Sequence, residues 1–88
     1  MKTIFTNGVY DVCHICHVRL LNYAASLGDR LIVAIDTDKR VSHMKGDLRP
    51  INTAEIRKEF LEAFNSVSKV HIFNSDIELE NIVKQYNP

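Results

Sequence analysis

The sequence contains no tryptophan, and it has only two cysteines, two prolines and three glycines among its 88 residues. Two cysteines allow one bridge at most, which is not the disulfide framework of a small secreted protein. The longest apolar run covers residues 31–35, whereas a membrane span needs about 20 apolar residues. No apolar stretch of the length of a secretory signal follows Lys2. We therefore expect a cytoplasmic protein with reduced thiols.

An excess of charge of one sign is also lacking. The eleven basic residues are balanced by eleven acidic residues, and the isoelectric point is near 6.9. Because nonspecific binding to nucleic acid or to an anionic membrane needs a basic surface, we expect neither partner, and any phosphate must be bound locally. The hydrophobic fraction of 45% and the charged fraction of 25% exclude a disordered, collagen-like or coiled-coil chain. At this length the chain forms one domain, residues 1–88.

Short β-type runs alternate with helical patterns along the chain. Strands are predicted at residues 2–7, 30–36 and 69–74, and helices at residues 17–27 and 76–86. Between the second and third strands, a basic loop precedes a helix that Asn52 caps, with Glu55 at its third position and an apolar stripe of Ile56, Phe60, Leu61 and Phe64. With right-handed crossovers, this order gives a Rossmann-like three-layer α/β/α fold on a three-stranded parallel sheet.

The chain stops at residues 86–88, where a further strand would begin. Three parallel strands leave sheet edges open unless another segment covers them. We therefore expect a partial domain, and the alternative that Pro88 is the natural end stays open.

Residues 7–17, N-G-V-Y-D-V-C-H-I-C-H, lie between the first strand and the first helix. Ligands of open α/β sheets bind beyond the carboxyl ends of the strands, near helix N-termini that attract anions. His14 and His17 share one face of the first helical turn, where both imidazoles can donate N–H to a phosphate and, when protonated, neutralise charge on a pentavalent phosphorus. The alternative is that they are capping or core histidines.

The same segment contains Cys13-His14-Ile15-Cys16-His17, the pattern of c-type haem attachment. Met44 would then be the axial partner, but the β-type runs and the lack of an export signal disfavour this haem site. A zinc site is disfavoured because four ligands within five residues cannot all reach one tetrahedral centre. A redox C-x-x-C pair is a third alternative.

Several segments together carry a family resemblance. The chain has T-N-G-V-Y-D-x-x-H-x-x-H at residues 6–17, L-G-D-R-L-I-V-A at residues 27–34, T-D at residues 37–38, K-G at residues 45–46 and R-P-I-N at residues 49–52. In these segments it resembles the cytidylyltransferase-like nucleotidyltransferases over residues 2–88. Within them it is most similar to the heptose 1-phosphate adenylyltransferases, and next to glycerol-3-phosphate cytidylyltransferase.

This resemblance implies transfer of a nucleotidyl group from ATP or CTP to a sugar or polyol phosphate, with release of pyrophosphate. The acceptor phosphate attacks the α-phosphorus in line, so that positioning and charge stabilisation supply the catalysis, with Mg²⁺ bound through the triphosphate. The partners implied are the nucleotide and the phosphorylated acceptor, and a homodimer is compatible with the resemblance. The runner-up interpretation is a catalytically impaired nucleotide-binding fragment or pseudoenzyme.

The resemblance also assigns roles to individual residues. His14 and His17 would touch the triphosphate, the backbone of Val9 and Tyr10 would line the nucleotide, and Lys45 would reach the phosphates. Arg57 would grip the acceptor phosphate through a bidentate fork.

Alternatives remain for three residues. Lys45 can be a solvated charge, Arg57 can pair with Glu59 or Glu62 at the surface, and Asp11 is expected to brace its turn. The chain departs from the family's H-x-G-H motif at Cys16, which places a side chain where the family has none.

Overall fold

The computed structural model describes all residues, 1–88, as one parallel sheet with helices against it. The elements in chain order are β1 Thr3–Gly8, α1 Ile15–Ser26, β2 Arg30–Asp36, α2 Asp38–Lys45, α3 Ala54–Glu62, β3 Lys69–Phe73 and α4 Asp76–Tyr86. The strand order is β1-β2-β3, and both pairings are parallel. The longest helix, α1, has 12 residues, and no helix is both long enough and apolar enough to cross a bilayer.

The core forms where β2 lies between its two neighbours. This strand is apolar from residue 31 to residue 35 and is buried on both sides, as a central parallel strand requires. Leu31, Val33 and Ile35 point to one side, where they pack with Leu21 of α1 and Leu61 of α3. Burying a side chain of this size contributes about 1.5–3 kcal/mol, so these few residues supply much of the stabilisation of a small domain.

Helix α4 covers part of the opposite side of the sheet. The side chain of His71 alternates with core-facing Val70, and its Nε2 lies 2.6 Å from the hydroxyl of Tyr86 in α4. The guanidinium of Arg30 lies 5.1 Å from the centre of the Tyr86 ring. The last turn of α4 is thus held on the sheet by polar contacts. The bounds of this helix, residues 76–86, are those predicted from the sequence.

The prediction of a basic loop directly after β2 is wrong, because residues 38–45 form helix α2. Thr37 caps this helix by accepting the backbone N–H of Arg40 at 3.4 Å. Only Val41 of the helix is buried, and it has no exposed area. A helix of eight residues with one buried side chain shows no apolar periodicity, and so the sequence carries no pattern that would reveal it.

Two other helices begin at residues other than those expected. Helix α1 starts at Ile15, two residues before the predicted start at residue 17. The cap of α3 is Thr53 and not Asn52, since the Thr53 hydroxyl accepts the backbone N–H of Ile56. Glu55 is therefore not the third residue of the helix. The predicted apolar stripe of α3 is only partly inward, since Ile56 and Phe60 are 52% and 48% exposed. The inward face of α3 is instead formed by Ala54, Arg57 and Leu61, which are buried.

Gly28 is required by close packing between the end of α1 and the start of β1. A Cβ at this position would lie 2.8 Å from the carbonyl oxygen of Lys2 and 2.8 Å from Cγ1 of Ile4. We expect Gly28→Ala to lower the free energy of unfolding by about 1–3 kcal/mol. Urea unfolding measures this, with Asn22→Ala on the exposed face of α1 as the control expected to change it by less than about 0.5 kcal/mol. Equal stability of both variants would contradict the packing.

Candidate active site

The candidate site lies at the carboxyl end of β1, where residues 9–14 lead into α1. Tyr10 and Val12 have left-handed backbone conformations, with φ of 53° and 54°. Such a conformation is strained for a β-branched residue, and strained positions of this kind concentrate at functional sites. The backbone N–H groups of residues 9–13 donate no hydrogen bond within the protein. This loop therefore offers a row of donors to an anion.

His14 and His17 form a reciprocal cap on the first turn of α1. Nδ1 of His14 accepts the backbone N–H of Cys16 at 3.2 Å, and Nδ1 of His17 accepts the backbone N–H of His14 at 3.1 Å. These two N–H groups belong to the helix end that has no intrahelical acceptor. The ring centres lie 4.3 Å apart. The two histidines are therefore capping residues that also stand side by side at the loop.

His17 borders a shallow groove of about 210 Å³. Its ring contacts the ring of Tyr10 edge-on, with the centres 5.6 Å apart. Burial lowers the pKa of His17, and the neighbouring charge of His14 lowers it further. The structure thus brings three of the predicted nucleotide residues, Val9, Tyr10 and His17, to one surface beside His14. The groove is lined by Asn7, Gly8, Val9, Tyr10, His17 and Leu20.

Asp11 braces the loop, as expected from the sequence. Its carboxylate accepts the backbone N–H of Ile51 at 2.6 Å and that of Asn52 at 2.9 Å. Burial of this carboxyl raises its pKa, but the two N–H bonds and the charges of Arg57 and Arg49 outweigh burial, so the pKa lies below its ordinary value. The carboxylate ties the loop after β1 to the segment before α3.

Arg57 lies inside the protein and is 1% exposed. Its Nε donates to the carbonyl oxygen of Asn52 at 3.0 Å, one Nη donates to the carbonyl oxygen of Val9 at 2.9 Å, and the other donates to Oδ1 of Asp38 at 2.9 Å. Neither a surface pair with Glu59 or Glu62 nor a free fork for an acceptor phosphate is present. The expectation for Arg57 is corrected because all three nitrogens are turned to protein oxygens.

Lys45 is placed differently from the histidines. It is the last residue of α2, it is exposed, and it forms no ion pair. Gly46 follows with φ of 101°, which turns the chain away from the helix. No contact in the structure brings the ammonium group of Lys45 to the groove.

The two cysteines occupy different surroundings. Cys13 is half-buried, and its thiol donates to the carbonyl oxygen of Tyr10 at 3.5 Å, while Cys16 is exposed on the first turn of α1. Burial raises the pKa of the Cys13 thiol, and the charge of Asp11 raises it further. No group of three or more His, Cys, Asp or Glu side chains has the geometry to hold a metal ion.

A second cleft, of about 330 Å³, lies at the same end of the sheet, and the sequence did not predict it. Its lining residues are Lys39, Arg40, His43, Met44 and Asn74. Arg40 is paired with Asp36 at 3.3 Å and with Asp76 at 3.2 Å, so its charge is largely balanced. The signal in the sequence was the spacing of Lys39 and His43, which share a face only if the segment is helical.

A parallel α/β sheet with paired histidines and free backbone donors beyond β1 has the features of the α/β domains that bind ligands beyond their strands. The cytidylyltransferase-like family model matches residues 5–88. The chain therefore belongs to the cytidylyltransferase-like family, and the predicted resemblance and the Rossmann-like nucleotidyltransferase fold are confirmed.

Curated relatives are similar over most of this chain. It is 47% identical over 81 residues to the bifunctional protein HldE of Gluconobacter oxydans, in an alignment that covers 92% of this chain and 17% of that protein. It is 48% identical over 75 residues to HldE of Hydrogenovibrio crunogenus, in an alignment that covers 85% of this chain and 16% of that protein. The chain thus spans about one sixth of the length of these relatives.

A solved structure shares the fold. The lipopolysaccharide core biosynthesis protein of Thermoplasma volcanium superposes with a TM-score of 0.81 at 22% sequence identity, over 98% of this chain and 68% of that chain.

The buried position of Arg57 predicts a structural effect without any ligand. Replacing it with Met removes the fork and leaves Asp38 and two carbonyl groups without their donor, so we expect a loss of about 3–5 kcal/mol in the free energy of unfolding. Chemical denaturation measures the loss, with exposed Arg19→Met as the control. Unchanged stability together with weaker binding of a phosphorylated acceptor would instead support a ligand role for Arg57.

The lowered pKa of His17 predicts how stability depends on pH. The folded state takes up a proton at lower pH than the unfolded state, whose ordinary value is 6.5, so folding loses stability as the pH falls below about 6.5. The pKa of His71 is also lowered, by burial and by the charges of Lys69 and Lys58, and this group acts in the same direction. We expect urea midpoints to fall between about pH 7.5 and about pH 5, and to fall less steeply in His17→Asn. A rise on acidification would contradict this account.

Proposed function

We propose that this domain transfers a nucleotidyl group from a nucleoside triphosphate to a sugar or polyol phosphate. A phosphate oxygen of the acceptor forms a bond to the α-phosphorus, the bond from that phosphorus to the bridging oxygen breaks, and pyrophosphate leaves with that oxygen. The observation that carries the proposal is the pairing of His14 and His17 beside a loop whose N–H groups have no acceptor in the protein. The heptose 1-phosphate adenylyltransferase resemblance favours ATP and a sugar phosphate, and CTP with a polyol phosphate is the other choice.

The triphosphate binds along the loop in this proposal. The N–H groups of residues 9–13 and the two imidazoles donate to its oxygens, and they are fixed before the ligand arrives, which is how hydrogen-bond donors lower a barrier most effectively. Tyr10 and Val9 line the groove for the rest of the nucleotide. Mg²⁺ enters on the triphosphate and neutralises part of its charge, so a dedicated cage of protein ligands is not needed. Lys45 would reach the phosphates after a movement of the segment around Gly46.

The acceptor needs a separate position for its phosphate, since Arg57 is engaged inside the protein. The cleft that contains Lys39 and His43 supports this role best. Both side chains are exposed and free of ion pairs, and the cleft lies at the end of β2 and β3, the same edge of the sheet as the histidines. A phosphorylated sugar is small enough for a cleft of about 330 Å³.

A noncatalytic nucleotide-binding module is the second candidate. The exposed side chain of Cys16 on the first turn of α1 favours it, because this side chain stands where the family motif has only a hydrogen. Both candidates predict nucleotide binding at the histidines, and only the first predicts pyrophosphate release.

Binding and turnover together test the proposal. We expect Mg²⁺–ATP or Mg²⁺–CTP to bind in calorimetry, and the double variant His14→Ala, His17→Ala to lose at least about tenfold in affinity, which corresponds to about 1.4 kcal/mol. Lys84→Ala on α4 is the control, because it removes a cation distant from the groove. Pyrophosphate release with heptose 1-phosphate or glycerol 3-phosphate would identify the enzyme, and binding without release would identify the module. Equal affinity of the double variant would contradict both.

A further inference from the structure

We propose that His14 and His17 face the ligand as neutral imidazoles, each held by its backbone hydrogen bond in the tautomer that carries the proton on Nε2. The tautomers follow from the two backbone hydrogen bonds, whereas the role of Nε2 at a triphosphate rests on the proposed function. In this arrangement each side chain has two separate tasks. Nδ1 closes the helix end, and Nε2 presents one N–H in a fixed direction.

The tautomer of each ring follows from what its Nδ1 contacts. Nδ1 of His14 is 3.2 Å from the backbone nitrogen of Cys16, and Nδ1 of His17 is 3.1 Å from the backbone nitrogen of His14. Both backbone groups are donors and cannot accept. A ring nitrogen that receives an N–H carries no proton of its own, so the single proton of a neutral imidazole is on Nε2.

Nothing around the two rings favours a positive charge on them. None of the four ion pairs of the protein includes a histidine. The carboxylate of Asp11 is turned to the backbone before α3, the ring of Tyr10 meets His17 by its edge, and the thiol of Cys13 is turned to a carbonyl oxygen. A proton added at Nδ1 would meet a backbone N–H and open the cap, and a second charge would stand beside the first.

This arrangement also explains what position 16 contributes. Cys16 takes part through its backbone N–H, which any residue except proline supplies, and its thiol forms no hydrogen bond in the structure. The family motif has glycine at this position, and Cys16 can keep the cap intact because the cap does not use the side chain. The pair is therefore preorganised as two hydrogen-bond donors.

Substitution by asparagine separates the two tasks. The side-chain oxygen of Asn stands near the position of Nδ1 and is among the best helix N-caps, but it leaves nothing at the position of Nε2. We expect His14→Asn to melt close to the wild type and His14→Ala to melt lower, whereas both lose at least tenfold in affinity for Mg²⁺–ATP. Equal melting of His14→Asn and His14→Ala, both below the wild type, would overturn the capping task, and wild-type affinity in His14→Asn would overturn the task of Nε2.

Nitrogen NMR of the ligand-free wild type tests the tautomers directly. At neutral pH we expect His14 and His17 each to show a protonated Nε2 and an unprotonated Nδ1, while exposed His43, which has no hydrogen bond to its ring, shows both tautomers in exchange. Protonation of both ring nitrogens, or tautomer exchange like that of His43, would overturn the proposal. Because this readout needs no nucleotide, fixed tautomers in a protein that binds no nucleotide would reject the proposed function and leave the tautomers standing.

Discussion

The buried guanidinium of Arg57 connects the three segments that form the site. It reaches the loop after β1 through Val9, the start of α2 through Asp38 and the segment before α3 through Asn52. Removing a charge from water is expensive, and it is tolerated when every donor finds a well-placed acceptor. Asp38 completes the arrangement by also accepting the backbone N–H of Ala54 at 2.8 Å. A small domain with a modest apolar core thus holds its site loops through the hydrogen bonds of one buried side chain, together with those of Asp11 and Asp38.

At the first turn of α1, His14 and His17 each serve two purposes. Helix ends leave backbone donors unpaired, and a separate cap normally satisfies them. Here His14 and His17 satisfy two of these donors and stand beside the loop that faces a ligand. The strain at Val12 is compatible with this arrangement, since Asp11 and Arg57 hold the loop from the other side. The loop is therefore shaped by the fold before any ligand binds.

The amino-acid sequence predicts the fold more completely than the site. The bounds of β2 and α4 were predicted to the residue, because a continuous apolar strand and a helical pattern of apolar residues are strong local signals. Helix α2 was missed because a single buried residue gives no period. The place of Arg57 was missed because its partners are 5, 19 and 48 residues away along the chain, and no local pattern reports such contacts. The capping and binding interpretations of the histidines were posed as alternatives, whereas the structure allows one ring to serve both.

In the proposed function, a nucleoside triphosphate binds this domain at the loop after β1 and the first turn of α1. This binding mode is tested by titrating Mg²⁺–ATP into the isotope-labelled protein and following every backbone amide resonance. We expect the amides of residues 9–17 to shift first and furthest, since they include the unpaired donors and both histidines. Shifts confined to the cleft at Lys39 and His43, with the loop unchanged, would contradict it.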